Sequence, residues 1–219
     1  MKNIKKSILI MAVVLSIGTV ALGQDKSKAR SGRYAELLIG IDQEKGIMTG
    51  FYESATGWDE QAKAPRFVCS FYLYGEMQGD SFKPSFKIIT WWPGDDLEEP
   101  INGDLTFKAD GSVSVRLESE HGGCWNVNHF ADKDRPSDHA LDKLGSWTSV
   151  RLVKVRRAYF YNKTNEQMRR KAYLTKDNVI RVFSQTSGWV LAEYGDEKTT
   201  RGWIKESDLY DFKPASKRK

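Results

Sequence analysis

The amino-acid sequence predicts an all-β fold in two parts: a long antiparallel β-meander, barrel-like or sandwich, followed by a second, smaller β unit. Three observations carry this. Short runs rich in Val, Ile, Thr, Phe and Tyr recur along the chain with turn residues between them. Residues 66–75 place Phe67, Cys69, Phe71 and Leu73 on one face and Val68, Ser70, Tyr72 and Tyr74 on the other, the period of a strand. Aromatic residues make up 12% of the chain and only 6 of its 219 residues are Pro, a composition that can fill a core.

The elements follow in chain order. Lys2, Lys5 and Lys6 form a positive region, residues 8–20 an apolar run, and Ala21-Leu22-Gly23 a small-x-small site, so residues 1–23 are expected to be a cleaved secretory signal peptide. The apolar run is too short for a spanning helix, which needs roughly 20 such residues, and no transmembrane anchor is expected. A flexible segment, 24–33, leads into a β-rich domain over 34–155. Its first hairpin pairs 34–42 with 47–56 around Gly46, which supplies the φ > 0 a short loop needs. Further strands are expected at 66–75, 85–92, 103–108, 112–118 and 148–155, with turns at 93–96 and 109–111. Residues 135–144 space Ala140, Leu141 and Leu144 helically after Ser137, which predicts one short helix or an ordered loop.

Charge excludes one class of partner. The chain carries 34 basic and 29 acidic residues, and removal of the signal leaves 31 against 29. That balance gives no support for nucleic-acid binding, and the basic tail over 213–219 reads as a solvated end.

From Arg157 onward the chain carries Ala158-Tyr159-Phe160-Tyr161, then Arg170-Lys171-Ala172-Tyr173-Leu174, then Val179-Ile180-Arg181-Val182. Two Gly-Trp pairs, Gly188-Trp189 and Gly202-Trp203, and a closing Glu206-Ser207-Asp208-Leu209 complete the series. In order and spacing, residues 157–212 resemble the bacterial SH3-like (SH3b) family. Where that family has Gly-Asp in a turn, this chain has Lys176-Asp177-Asn178, residue types that also tolerate left-handed backbone. The resemblance implies a small SH3-like β-barrel over 156–212 that binds a cell-wall peptide or a protein segment along its surface. It implies nothing about the N-terminal domain.

Candidate ligand-binding residues follow from the side chains such surfaces use, large rings with polar tips. Tyr161 and Trp189 lead, with Tyr159, Trp203, Tyr173 and Tyr194 beside them; in the N-terminal domain Trp58 and Trp92 stand next to acids in expected loops. Asp59 and Glu60 read as turn residues rather than a glycosidase pair. The segment from His121 through Cys124 to His129, followed by Asp132, is the one constellation with chemistry: a thiol nucleophile with its base, a zinc site, or a Cys69–Cys124 disulfide. The spacing lacks the paired ligands of a structural zinc, and an exported chain with two Cys favours the disulfide. Asn162-Lys163-Thr164 matches a glycosylation acceptor. The sequence therefore points to an exported, non-catalytic binding protein of the cell envelope, with no cofactor and no metal. The alternatives are an inhibitor or interaction protein for a secreted enzyme, and a Cys-His hydrolase using Cys124.

Overall fold

A computed structural model describes residues 29–78, 84–92 and 100–211. The expected signal peptide, the turn at 93–96 and the basic tail at 213–219 lie outside the described residues. Nine strands form one antiparallel sheet: β1 (Gly32–Tyr34), β2 (Leu37–Asp42), β3 (Ile47–Asp59), β4 (Ala64–Gln78), β5 (Ser85–Trp91), β6 (Ile101–Phe107), β7 (Val113–Leu117), β8 (Ser137–His139) and β9 (Leu141–Leu144). Their order is β8-β7-β6-β5-β4-β3-β2-β1-β9, a meander from β1 to β8 with β9 returning beside β1. The two edges, β8 and β9, are separated in the chain by Ala140 alone. One bent segment therefore pairs with β7 on one side and β1 on the other and brings the sheet nearly to a closed barrel.

Residues 135–144 are thus strands, not a helix. Ser137 and His139 are buried while Asp138 and Ala140 are exposed, a period of two that outweighs the helical spacing of Ala140, Leu141 and Leu144; Leu144 lies outside, 41% exposed. The first expected strand, 34–42, also divides. Ala35 adopts φ 49° and turns the chain between β1 and β2, a left-handed position that no Gly, Asn or Asp announces. The loop at Gly46 (φ 64°) joins β2 to β3 as expected.

The barrel interior is solid. Tyr34, Tyr52, Phe71, Phe86, Phe107 and Phe130 fill it with Ile39, Met48, Leu73 and Ile88, and Tyr52 stacks on Phe71 at 5.2 Å with Phe130 set edge-on to both. Tyr34 donates to the Arg30 carbonyl at 2.9 Å, and burial pushes its phenol up to about 12 against the opposing charge of Arg30.

A second antiparallel sheet holds β10 (Ser149–Leu152), β11 (Ala158–Tyr161), β12 (Arg169–Leu174), β13 (Val179–Thr186), β14 (Trp189–Tyr194) and β15 (Thr200–Lys205), in the order β10-β13-β14-β15-β11-β12. Asp177 takes φ 66° in the turn before β13, the conformation expected of Lys176-Asp177-Asn178. Its core is small and mostly aliphatic: Val153, Ala158, Leu174, Ile180, Val182, Val190, Ala192, Ile204 and Leu209 around Phe160.

The two sheets meet along β10, which hydrogen-bonds to β13 while lying across the outside of β2 and β3. Gly40 makes this possible: a Cβ there would stand 2.5 Å from the Ser149 backbone. Polar groups on the barrel's outer wall complete the seam. The Val150 N–H donates to Thr49 Oγ1 at 2.7 Å, the Tyr72 hydroxyl donates to the Val150 carbonyl at 2.8 Å, and Trp147 Nε1 donates to the Ile39 carbonyl at 2.7 Å. Leu38, Phe51, Tyr74, Trp91 and Leu152 pack around them. This explains why both faces of the middle of β4 are apolar: Phe71 and Leu73 fill the barrel, and Tyr72 and Tyr74 are covered by the second sheet. At one flank of the seam, Asp196 accepts from Arg33 of β1 and from Arg181 of β13, each at 2.9 Å. Burial pushes this carboxyl up, but the two guanidinium groups outweigh it and hold it below its ordinary value.

Candidate functional site

The His121–His129 segment does not assemble a catalytic set. Cys124 opens a short 3-10 turn, Cys124–Asn126, and bonds Cys69 of β4 with an S–S distance of 2.02 Å. Gly123 (φ 81°) brings this turn against β4, where any Cβ would meet the Val68 carbonyl oxygen at 2.6 Å. His121 is buried, its ring stacked on Phe71 and its Nε2 2.7 Å from Thr90 Oγ1. His129 is exposed and stands edge-on to Trp125 at 4.7 Å. Asp132 caps its own loop, accepting from the N–H groups of Asp134 and Arg135. Among the described residues, no group of three or more His, Cys, Asp or Glu is placed to hold a metal ion.

The second sheet gathers the aromatic candidates. Tyr161 of β11 and Trp189 of β14 meet edge to face, with ring centroids 4.9 Å apart. Strand register explains the meeting: Tyr161 pairs with Trp203 on β15, and Trp189 pairs with Lys205 on the same strand. Lys205 reaches over the Trp189 ring at 6.0 Å and pairs with Glu166 at 2.5 Å, which holds the Glu166 carboxyl below its ordinary value and the Lys205 amine above its own. Trp189 and Trp203 are half-buried, whereas Tyr161 is nearly closed off and serves as the wall against which Trp189 rests.

Tyr159 goes to a different place. It packs against Tyr173 of β12, and each ring carries a guanidinium, Arg169 over Tyr159 at 4.7 Å and Arg157 over Tyr173 at 4.9 Å.

Trp58 and Trp92 lie away from the Tyr161–Trp189 pair and from each other. β3 and β4 overshoot the barrel rim, so Trp58 (60% exposed) and Phe67 stand at a projecting hairpin, fixed at its base by the disulfide and by Thr56 Oγ1 donating to the Asn126 carbonyl at 3.0 Å. Trp125, 66% exposed, belongs to the turn that the disulfide ties to this hairpin. Asp59 accepts from the N–H groups of Gln61 and Ala62 and pairs with Arg66, and Glu60 pairs with Lys63, so both carboxylates are occupied in the turn. Trp92 leans on Phe51 at 6.0 Å and lines a hollow of about 840 Å³ at the seam, together with Tyr194, Arg33, Asp142 and Asp196. A larger groove of about 980 Å³ opens elsewhere along the seam, between Ile41, Tyr74 and Trp147 on one side and Val182, Phe183 and Gln185 on the other.

No protein-family model, no curated protein and no solved structure matches this chain. Sequence reasoning missed the seam grooves, the exposure of Trp125 and the guanidinium-capped tyrosines. The last of these has a visible signal, since Arg157 and Tyr159 are two apart, as strand neighbours on one face are, and Arg169 and Tyr173 share the next strand.

Proposed function

We propose that this chain is an exported, non-catalytic binding protein whose second sheet, an SH3-like unit, holds a cell-envelope ligand, a peptidoglycan peptide or a protein segment, on the face that carries Trp189, Tyr161 and Trp203. The observation that carries the reading is the Tyr161–Trp189 pair at 4.9 Å with Lys205 and Glu166 beside it. A ring held in place by its neighbour loses little freedom on binding, and an adjacent amine and carboxylate complement the charges of a short peptide. A buried disulfide fits an oxidising compartment, and it commits the Cys124 sulfur that a thiol hydrolase needs as its nucleophile.

Sedimentation of the protein with purified peptidoglycan tests this. The wild type is expected in the pellet, and Trp189→Ala is expected to weaken retention about tenfold, the scale of an aromatic anchor. Wild-type protein that stays in the supernatant removes the cell-wall ligand, and full retention by Trp189→Ala removes this face as the site.

A second reading, an interaction or inhibitor protein for a secreted enzyme, is favoured by the projecting hairpin. Trp58, Phe67 and Val68 stand exposed there, with Trp125 on the turn bonded to it, and the disulfide fixes its base.

A further inference from the structure

The chain's positive charge is concentrated in one hairpin. Residues 154–177 hold eight basic side chains, Lys154, Arg156, Arg157, Lys163, Arg169, Arg170, Lys171 and Lys176, against Glu166 and Asp177; the rest of the sequence carries 26 basic and 27 acidic residues. The hairpin is β11–β12, and β12 is the free edge of its sheet. Among the described residues none of these eight cations forms an ion pair, although the barrel pairs Lys45, Lys63, Lys87 and Lys108 with carboxylates. Glu166, the acid of the hairpin loop, is taken by Lys205.

Two of the guanidinium groups are held in place. Tyr159 and Tyr173 pack at a tilt, 5.7 Å between ring centroids, with Arg157 4.9 Å over the Tyr173 ring and Arg169 4.7 Å over the Tyr159 ring. Each cation is positioned by a ring, Arg157 also by a hydrogen bond with the Tyr159 side chain, and carries N–H groups suited to an oxyanion. At one end of this cluster a hollow of about 410 Å³ is lined by Arg156, Arg157, Lys176, Tyr173 and Thr175, three cations and two hydroxyls with no carboxylate. Lys171, two residues from Arg169 and Tyr173 on the same strand face, extends the positive surface along β12, whereas Arg170 turns to the other face, over Phe160 at 5.8 Å, and donates to the Arg201 carbonyl at 2.7 Å.

We infer that the outer face of the β11–β12 hairpin is a docking surface for a linear, phosphate-bearing polymer of the cell envelope. Arg157, Arg169, Lys171 and Lys176, spread over two paired strands and the turn after them, match charges repeated along a chain better than one small ion, and the fork of Arg matches phosphate oxygens in pairs. Single-stranded nucleic acid is the poorer fit: it needs open ring faces for its bases, and here each tyrosine already carries a guanidinium. Arg169 pairs in register with Tyr161 and so borders the Trp189 face, whereas Arg157 and Lys176 lie at the other end of the hairpin, so peptidoglycan retention and polymer binding are read as separate assays.

The test is titration of the purified full-length protein with linear inorganic polyphosphate across a salt series. Parallel arms use single-stranded DNA of matched charge and vesicles of phosphatidylcholine with phosphatidylglycerol. Binding of polyphosphate is expected, weakening with salt. The combined Arg157→Gln, Arg169→Gln, Lys176→Gln variant is expected to bind at least about tenfold more weakly, with a salt slope smaller by about 2 to 3 in log–log terms. Lys63→Gln, which changes charge on the barrel hairpin, should bind as the wild type. An unchanged melting temperature in the triple variant separates lost binding from lost fold. No binding by the wild type, equal loss with Lys63→Gln, or tighter binding to DNA or vesicles than to polyphosphate each overturns the inference. The first outcome would leave these cations as guards of an open strand edge.

Discussion

The barrel and the second sheet dispose of their aromatic residues in opposite ways. The barrel turns Tyr34, Tyr52, Phe71, Phe86, Phe107 and Phe130 inward and closes around them. The second sheet has Phe160 as the one aromatic of its core and carries Tyr159, Tyr173, Trp189, Trp203 and Tyr194 half-buried or exposed. A small sheet that needs rings for stability places them inside; one that fills itself with Val, Ile, Leu and Ala has its rings available for other work. By this contrast the second sheet, more than the barrel, offers the rings that the proposed binding needs. The projecting Trp58 hairpin is the barrel's exception.

The largest expected difference between the two regions comes from reduction. The Cys69–Cys124 bond closes a loop of 55 residues, which in the chain-entropy model stabilises the fold by about 4 kcal/mol. Both sulfurs belong to the barrel, so Cys69→Ala with Cys124→Ala should lower the barrel's unfolding midpoint strongly in a denaturant titration followed by buried Tyr absorbance. Amide protection in β14 and β15 should change only where the seam gives way. A single coincident transition that does not move in the double variant would show that the bridge does not stabilise the barrel.

A smaller effect is expected at the seam itself. Gly40→Ala places a Cβ 2.5 Å from the Ser149 backbone, which forces β10 outward and stretches the Val150 N–H to Thr49 bond. Overpacking of this kind costs about 1–3 kcal/mol. Its mark should be specific: amide exchange in β10 and at Trp147 Nε1 accelerates while the barrel interior around Phe71 keeps its protection. Uniform acceleration across both sheets would mean that barrel and second sheet unfold as one unit and that the division drawn between them has no energetic meaning.

How much of this was legible beforehand follows the same division. Regular alternation made most strands of the meander readable, and the apolar residues on both faces of β4 are covered from Cys69 to Tyr74, whereas Phe67 and Val68 of the same run stand exposed on the projecting hairpin. The turn at Ala35 and the strands at Ser137–His139 and Leu141–Leu144 were not readable, because each is set by closure of the barrel, a contact between chain segments about 100 residues apart. Of the readings open for Cys124, the favoured disulfide is the one formed, because β4 and the 3-10 turn lie side by side. Trp92 and Tyr194 illustrate the limit for sites: each was a candidate singly, and only the packing of β10 across the barrel brings both to one hollow.

The smallest effect should appear on mild acidification, and it should separate the regions again, because all three histidines of the chain lie in the barrel part and none in the second sheet. His139 sits on β8 at the closing seam, nearly inaccessible, with Nε2 3.0 Å from Ser137 Oγ, its ring near Tyr52 and Phe130, and Glu36 at 3.9 Å from Nδ1. Burial pushes its pKa below the ordinary 6.5, and the attractions of Glu36 and Asp138 do not overcome this. A histidine whose folded pKa is depressed favours the fold while it is neutral, so its contribution is complete above about pH 6.5. That contribution is lost progressively as pH falls from there toward the folded pKa. The barrel's melting temperature should therefore decline in that window, above the range where carboxylates titrate, and His139→Gln, which keeps a polar group opposite Ser137 but cannot charge, should flatten the decline. A decline of equal size in His139→Gln would assign the acid sensitivity to other groups and leave the closing seam indifferent to protonation.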